Sequence, residues 1–326
     1  MSGWSAWAQK LDALCPVYQK PPRACGMVTD AELCLVETYA RHSFTGAGKI
    51  VELGCWQGAI TVALARGLAN NPGGPWKRPI ESFDRFLWEP WMTPIAERLG
   101  CARVADGESF FHLTQANVAP YAHLVSLRQK DLLEPIRFAH PIEFLFVDAM
   151  KSWDLANAIV RTFFAKLIPA LSLVVHQDYG YFGPIVATNH ILMWLMRDYF
   201  MPVYHVPGSY SVVFGLTTPI DRKALPRLDK EALTAEMADA AWAYSMGVVR
   251  PEGRRRVWLC KILFFIEMGW LDRAWDEAQR FVSTTGRVHG PLDVNVRFVT
   301  GRAGSQEGNA AKREQLAALE RLLCWS

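Results

Sequence analysis

The sequence predicts an α/β fold in which a mostly parallel sheet of seven strands is covered by helices on both faces. Short, nearly continuous apolar runs alternate with segments of helical periodicity, which is typical of parallel strands buried on both sides. The last two apolar runs are separated only by Gly208 and Ser209, which indicates a closing antiparallel hairpin. With 51% hydrophobic and 21% charged residues, the chain is predicted to be globular rather than disordered.

The elements fall into three predicted regions. Residues 1–48 predict a helical N-terminal cap, in which Thr29 and Glu32 have the spacing of a capping box. The core follows at residues 49–216, and its predicted strands are KIVELG, PIESFD, HLVSLRQKD, IEFLFVD, LSLVVHQD, MPVYHVP and YSVVFGL. Residues 217–326 predict a helical C-terminal domain, apart from a Gly-rich stretch from Val288 to Gln306 that we expect to be irregular.

Charge and cysteine content exclude several classes of function. The 35 basic residues nearly balance the 32 acidic ones, so no nucleic-acid partner is expected. The seven cysteines are odd in number and scattered, without a C-x-x-C pair, so neither a zinc site nor a disulfide framework is expected. Without a membrane-spanning apolar run or a signal-peptide pattern, the sequence predicts a cytoplasmic protein with no membrane partner.

The most informative motif is VELGCWQG, where a predicted strand turns into a helix. Gly54 and Gly58 would let the backbone approach a ligand closely, and the helix would present its N-terminal amides. Their G-x-x-x-G spacing differs from the dinucleotide fingerprint and from the phosphate-binding loop. Asp84 ends the next strand, where a carboxylate can accept hydrogen bonds from both ribose hydroxyls of a ligand.

Polar side chains also follow two later strands. Asp148 ends IEFLFVD, and Gln177 and Asp178 end LSLVVHQD, so all three should meet at the carboxyl edge of the sheet. Two carboxylates and an amide oxygen suit Mg²⁺, which would lower the pKa of a substrate hydroxyl. A reaction at a hydroxyl also needs a base, for which His176 is the first candidate and His205 and Lys151 are the others.

The motif VELGCWQG resembles motif I of class I S-adenosylmethionine (SAM) dependent methyltransferases. The resemblance implies a Rossmann-like core and SAM as cofactor. It places the cofactor beside residues of the glycine turn and of the following strand ends: Glu52, Gly54, Cys55, Trp56, Gly58, Asp84, Arg85, Gln129, Asp131 and Asp148.

Four further segments resemble the macrocin O-methyltransferase (TylF-like) family over residues 49–216. They are FDRF, LLEPI, FLFVDAMKSWD and VVHQDYGYF. The resemblance implies methylation of a hydroxyl on a small molecule such as a sugar, assisted by a divalent ion on Asp148 and Asp178. The family has Asp-Gly-Asp where this chain has Asp148-Ala149-Met150, and Gln177 replaces an aspartate of the family pattern.

Two alternatives stay open. One is a metal-independent O- or N-methyltransferase that uses a histidine base. The other is a non-catalytic methyltransferase fold whose C-terminal helices recruit a partner. A homo-oligomer is compatible with either. Aromatic side chains on loops at the same sheet edge are expected to contact the acceptor; they are Phe86, Trp88, Trp91, Tyr179, Tyr181 and Phe182.

Overall fold

The computed structural model describes residues 3–22 and 25–324. They form two compact units, described separately below. The first unit comprises Met1–Met150, Asp154–Gln177 and Arg197–Arg227. The second comprises Lys151–Trp153, Asp178–Met196 and Leu228–Ser326. The predicted N-terminal cap thus lies in the same unit as the sheet.

The first unit contains a sheet of seven strands, as the sequence predicted. Its strands are β1 (Lys49–Leu53), β2 (Ile80–Asp84), β3 (Val125–Gln129), β4 (Ile142–Val147), β5 (Leu173–His176), β6 (Phe200–His205) and β7 (Val212–Leu216). The spatial order is β3-β2-β1-β4-β5-β7-β6. The first five strands pair in parallel and β7 pairs antiparallel with both β5 and β6. The predicted terminal hairpin is therefore confirmed.

Six helices belong mainly to this unit. They are α1 (Gly3–Leu14), α2 (Asp30–His42), α3 (Ala59–Ala69), α4 (Met92–Leu99), α5 (Phe111–Val118) and α6 (Trp153–Phe163). Helix α2 begins at the predicted capping box, in which the side chains of Thr29 and Glu32 each bond the other's backbone amide. The apolar faces of α2 and α3 pack with the sheet into one core that includes Leu35, Leu64 and Phe144.

The second unit is helical. Its helices are α7 (Ala187–Leu195), α8 (Ala235–Val248), α9 (Pro251–Glu267), α10 (Leu271–Thr285), α11 (Pro291–Gln306) and α12 (Ala310–Leu323). Trp242, Phe264 and Trp270 pack together in its interior. The prediction of an irregular stretch from Val288 to Gln306 is wrong, because α11 occupies most of it. Proline at its first position and buried Val296 and Val299 favour the helix.

A disulfide joins Cys25 and Cys101 in the first unit. The scattered cysteines had argued against disulfides, but sequence spacing cannot show which distant segments meet. The other described cysteines are free thiols. Among the described residues, none of the helices has both the length and the apolar character needed to cross a membrane.

Candidate functional site

The glycine turn between β1 and α3 has an unusual backbone. Gly54 and Gly58 have φ angles of 86° and 87°, in the left-handed region that glycine adopts without a steric penalty. Trp56, between them, has φ 41°, which is strained for a bulky residue. A Cβ at Gly54 would lie 3.3 Å from the backbone of Asp148, so this glycine also allows the ends of β1 and β4 to approach.

Asp84 fixes this turn from the end of β2. Its Oδ2 accepts the N–H of Trp56 at 2.9 Å and its Oδ1 accepts the N–H of Phe86 at 2.8 Å. Phe86 also has a positive φ, of 54°, so one carboxylate holds two strained backbone positions. Burial raises the pKa of Asp84 above its usual value, while the N–H groups act in the opposite direction.

Helix α5 holds the turn from the other side. Thr114 Oγ1 donates to the carbonyl of Trp56 at 2.8 Å, and Asn117 Nδ2 donates to the carbonyl of Gln57 at 2.9 Å. The Gln57 amide donates in turn to the carbonyl of Ala102 at 2.6 Å. The roles of Thr114, Asn117 and Gln57 were not predicted, because no local sequence pattern shows which distant carbonyl a side chain reaches. Their contacts preorganise the turn.

Aromatic residues near the turn are largely internal. The cluster comprises Cys55, Trp56, Phe86, Trp88, Met92, Ala96 and Phe110. Phe86 and Trp88 were expected to contact an acceptor, but they are fully buried and pack against Phe110. Trp91 is exposed. Burial raises the pKa of the Cys55 thiol, so this residue is an apolar wall rather than a reactive group.

Glu52 lies inside the first unit rather than on the open side of the turn. Its Oε2 accepts hydrogen bonds from the hydroxyls of Thr61 and, at 2.7 Å, of Ser82. Burial raises its pKa to about 7, with the two hydroxyls opposing the shift. These hydrogen bonds link β1, β2 and α3. A direct contact between Glu52 and a cofactor stays a prediction.

The polar residues at the ends of β2 and β3 lie close together. Asp84 and Gln129 are paired in register, and the Gln129 amide donates to the carbonyl of Arg85 at 3.3 Å. Arg85 forms an exposed ion pair with Glu89. The Asp131 carboxylate accepts the N–H of Leu133 at 2.9 Å. Gln129 therefore lies beside the predicted ribose acceptor, whereas Asp131 stabilises a local turn.

Asp148 and Gln177 follow neighbouring strands, as predicted. The Asp148 N–H donates to Leu53 O at 2.9 Å, and the Gln177 N–H donates to Val147 O at 3.0 Å. Both residues belong to the first unit. Asp178 belongs to the second unit, where its carboxylate forms an ion pair with the ammonium of Lys151.

The donor set does not fit a resident Mg²⁺ ion well. Within the described stretches, no three His, Cys, Asp or Glu side chains form a group that could hold a metal. The predicted set contains only two carboxylates, and that of Asp178 is already neutralised by Lys151. Metal binding stays a prediction that the described residues do not support.

Two of the candidate bases have very different surroundings. His176 is the last residue of β5 and is fully buried, with its ring centroid 5.9 Å from that of Phe214 and 6.4 Å from that of Phe164. An imidazole enclosed by two phenyl rings suits packing better than proton transfer with a substrate. Lys151, in contrast, is partly exposed and lines a cavity.

This cavity lies in the second unit and has a volume of about 500 Å³. Its wall combines aromatic and charged side chains, with Lys151, Trp153, Tyr181, Lys230, Phe298 and Arg302 among them. The volume falls in the range of small-molecule sites. Lys151 and Tyr181 were predicted as functional residues from the sequence, whereas the cavity residues of α11 were not.

The comparisons with known proteins do not assign a family. No protein-family model matches the chain, and no curated protein matches it either.

Proposed function

We propose that this protein is a SAM-dependent methyltransferase that methylates a hydroxyl oxygen of a small molecule. The observation that carries the proposal is the turn from Gly54 to Gly58, held by the carboxylate of Asp84 on the neighbouring strand. The sheet order, with its antiparallel β6–β7 hairpin, agrees with the fold that the resemblance to class I methyltransferases implies.

The residues at the turn fit the cofactor on two counts. Gly58 is the N-cap of helix α3 and has no side chain to cap it, so the first amide groups of the helix are available for the polar end of a ligand. The Asp84 carboxylate has about four acceptor positions, and the backbone amides of Cys55, Trp56 and Phe86 use three of them, so about one is left for a ligand. In this proposal Asp84 binds a ribose hydroxyl and Gln129 contacts the adenine side, while Glu52 supports the turn from within.

When bound, SAM supplies an electrophilic methyl group on a sulfonium centre. The acceptor hydroxyl must then lose one proton as its oxygen forms the new bond to carbon. The Lys151–Asp178 pair can serve this step, because the carboxylate accepts the proton while the ammonium stabilises negative charge on the oxygen. This assignment favours the metal-independent form of the reaction over the metal-assisted one.

A thermal-shift experiment tests the cofactor assignment. We expect S-adenosylhomocysteine to raise the Tm of the wild-type protein, and NAD⁺ and ATP to leave it unchanged. Asp84→Asn replaces one acceptor oxygen with an amide, so it should weaken binding of S-adenosylhomocysteine by about tenfold or more. Asp198→Asn is the matched control, because Asp198 is an exposed aspartate of the same unit.

Stabilisation of the Asp84→Asn variant equal to that of wild type would contradict the role of Asp84. No stabilisation of the wild-type protein by S-adenosylhomocysteine would instead favour the non-catalytic alternative.

A further inference from the structure

The cavity of the second unit is built around one face of α11. Asn295, Phe298 and Arg302 lie on this face at helical spacing of three and four residues, and all three line the cavity. Other parts of the wall come from Lys151 to Trp153, from residues between Tyr181 and Thr188, from Lys230, and from Phe264 and Glu267 of α9. Every lining residue belongs to the second unit.

The charges on the cavity wall do not cancel. Lys151 pairs with Asp178, and Arg302 pairs with Glu267. Lys230 has no ion-pair partner among the residues that the structure describes. One ammonium group is therefore available for an anionic group on a ligand.

Asn295 adds an unused hydrogen-bond donor. Its Nδ2 atom is buried and has no hydrogen-bond partner within the described part of the chain. A Cβ placed on Gly183 would lie 3.0 Å from this atom, so the Asn295 amide lies close to the backbone of Gly183, which has no side chain. A buried donor without an acceptor is costly, and an oxygen of a bound ligand would satisfy it.

The aromatic side chains of the cavity wall suit contact with a ring of a ligand. Trp153, Tyr181 and Phe298 line the cavity, and Phe298 is 62% exposed. Ile185 at the same site is 52% exposed. Large apolar side chains exposed together at a concave site are typical of ligand binding.

We propose that this cavity binds a hydroxylated ring compound that bears an anionic group. Lys230 binds the anionic group, the Asn295 amide donates to a ring oxygen, and the aromatic side chains contact the ring. The inference goes beyond the proposed methyltransferase function, because every residue of this site belongs to the second unit. Both an aromatic hydroxy acid and a sugar acid have this chemistry.

Binding of matched probes tests the proposal on the full-length protein saturated with S-adenosylhomocysteine. The anionic probes are 4-hydroxybenzoate and glucuronate, and their neutral counterparts are 4-hydroxybenzamide and glucose. We expect at least one anionic probe to bind at least tenfold more tightly than its counterpart. The pair that shows the difference identifies the aromatic or the sugar source.

Two variants locate the site. Lys230→Met and Asn295→Leu should each weaken binding of the anionic probe by about tenfold, and Lys230→Met should also abolish the preference over the neutral probe. Lys312→Met is the control, because Lys312 lies on α12 and does not line the cavity. Unchanged affinity for S-adenosylhomocysteine in all three variants shows that they fold and that the effect belongs to the cavity.

Equal binding of anionic and neutral probes would overturn the inference, as would binding that Lys230→Met leaves unchanged. If no anionic probe binds while S-adenosylhomocysteine does, the proposed ligand class of the cavity is wrong and the proposed function stands. If S-adenosylhomocysteine itself does not bind, the proposed methyltransferase function is wrong, whatever the probes do.

Discussion

Asp84 shows how one side chain can shape a ligand site before any ligand is present. Its two oxygens bind the N–H groups of Trp56 and Phe86, and both residues have left-handed backbone angles. Such conformations cost of order 1–3 kcal/mol each and persist only when the surroundings enforce them. The strand end and the acidic residue were predictable from sequence, but the strain was not, because it depends on contacts with other segments.

Glu52 gives a pH-dependent test of its buried position. Its pKa rises from 4.5 to about 7 on folding, so it favours the folded state below about pH 4.5, and this contribution is lost as the pH rises through 7. Glu52→Gln stays neutral at every pH. We therefore expect the difference in free energy of unfolding, variant minus wild type, to increase by about 2 kcal/mol as the pH rises from about 5 to about 8.

Urea unfolding of both proteins at several pH values measures this difference. A constant difference across the range would show that Glu52 is ionised in the folded protein and that its burial does not shift its pKa.

Lys151 gives a kinetic test of the proposed proton transfer. Lys151→Met retains much of the side-chain volume and removes the ammonium group, which leaves Asp178 without its ion-pair partner. Once an acceptor is available, we expect kcat to fall about 100-fold, within the usual contribution of a group that stabilises developing negative charge. Affinity for S-adenosylhomocysteine should not change.

His176→Asn is the comparison variant. Because His176 is enclosed by Phe164 and Phe214, it should lower stability more than kcat. A kcat lost in His176→Asn but retained in Lys151→Met would contradict the assignment and restore the histidine base.

At the scale of elements, the sequence predicted strands better than helices. Apolar runs, most of them ending at Gly or Asp, located the seven strands and the hairpin. Helix α11 was missed because several of its residues have low helix propensity. They are Val294, Val296, Thr300, Gly301 and Gly304. Burial of its apolar face overrides that propensity, and a single sequence does not show burial.

The disulfide between Cys25 and Cys101 connects segments on either side of the glycine turn. Gly26, next to Cys25, lies against Ala59 at the start of α3, since an added Cβ would be 2.5 Å from the Ala59 side chain. On the other side, Ala102 next to Cys101 accepts the hydrogen bond from Gln57. The covalent link therefore holds both borders of the turn.

Breaking this link should affect both stability and binding. The two cysteines are 76 residues apart, and loop-closure entropy for such a span contributes up to about 4 kcal/mol. We expect Cys101→Ser to lower the free energy of urea unfolding by up to that amount and to weaken binding of S-adenosylhomocysteine.

Two controls isolate the disulfide. A reductant should destabilise the wild-type protein but not the Cys25→Ser/Cys101→Ser double variant. Titration of seven rather than five free thiols in the denatured, unreduced protein would contradict the disulfide.

At the scale of the whole molecule, the second unit is discontinuous in sequence. Tyr179 and His190, which precede β6, both bond Ser245 on α8, at 2.8 Å and 3.0 Å. A linear division into residues 49–216 and 217–326 would separate these partners. Composition marks where helix formers begin, but it does not show that residues 178–196 pack with them.

Deletion of residues 228–326 should therefore not yield a stable methyltransferase core. The truncation exposes the buried side chains of Tyr179 and His190, so we expect a lower Tm and binding of the dye ANS. Full-length Ser245→Ala is the control, because it removes only the shared hydroxyl and should cost about 1–3 kcal/mol. A truncated chain that unfolds cooperatively at the wild-type Tm would contradict this account.

Calorimetric titration of S-adenosylhomocysteine into the wild-type protein, with and without a chelator, tests the central claim most directly. The account predicts saturable binding at one site per chain with micromolar affinity, unchanged by the chelator. Absence of binding under both conditions would contradict the methyltransferase assignment, and binding lost with the chelator would contradict its metal-independent form.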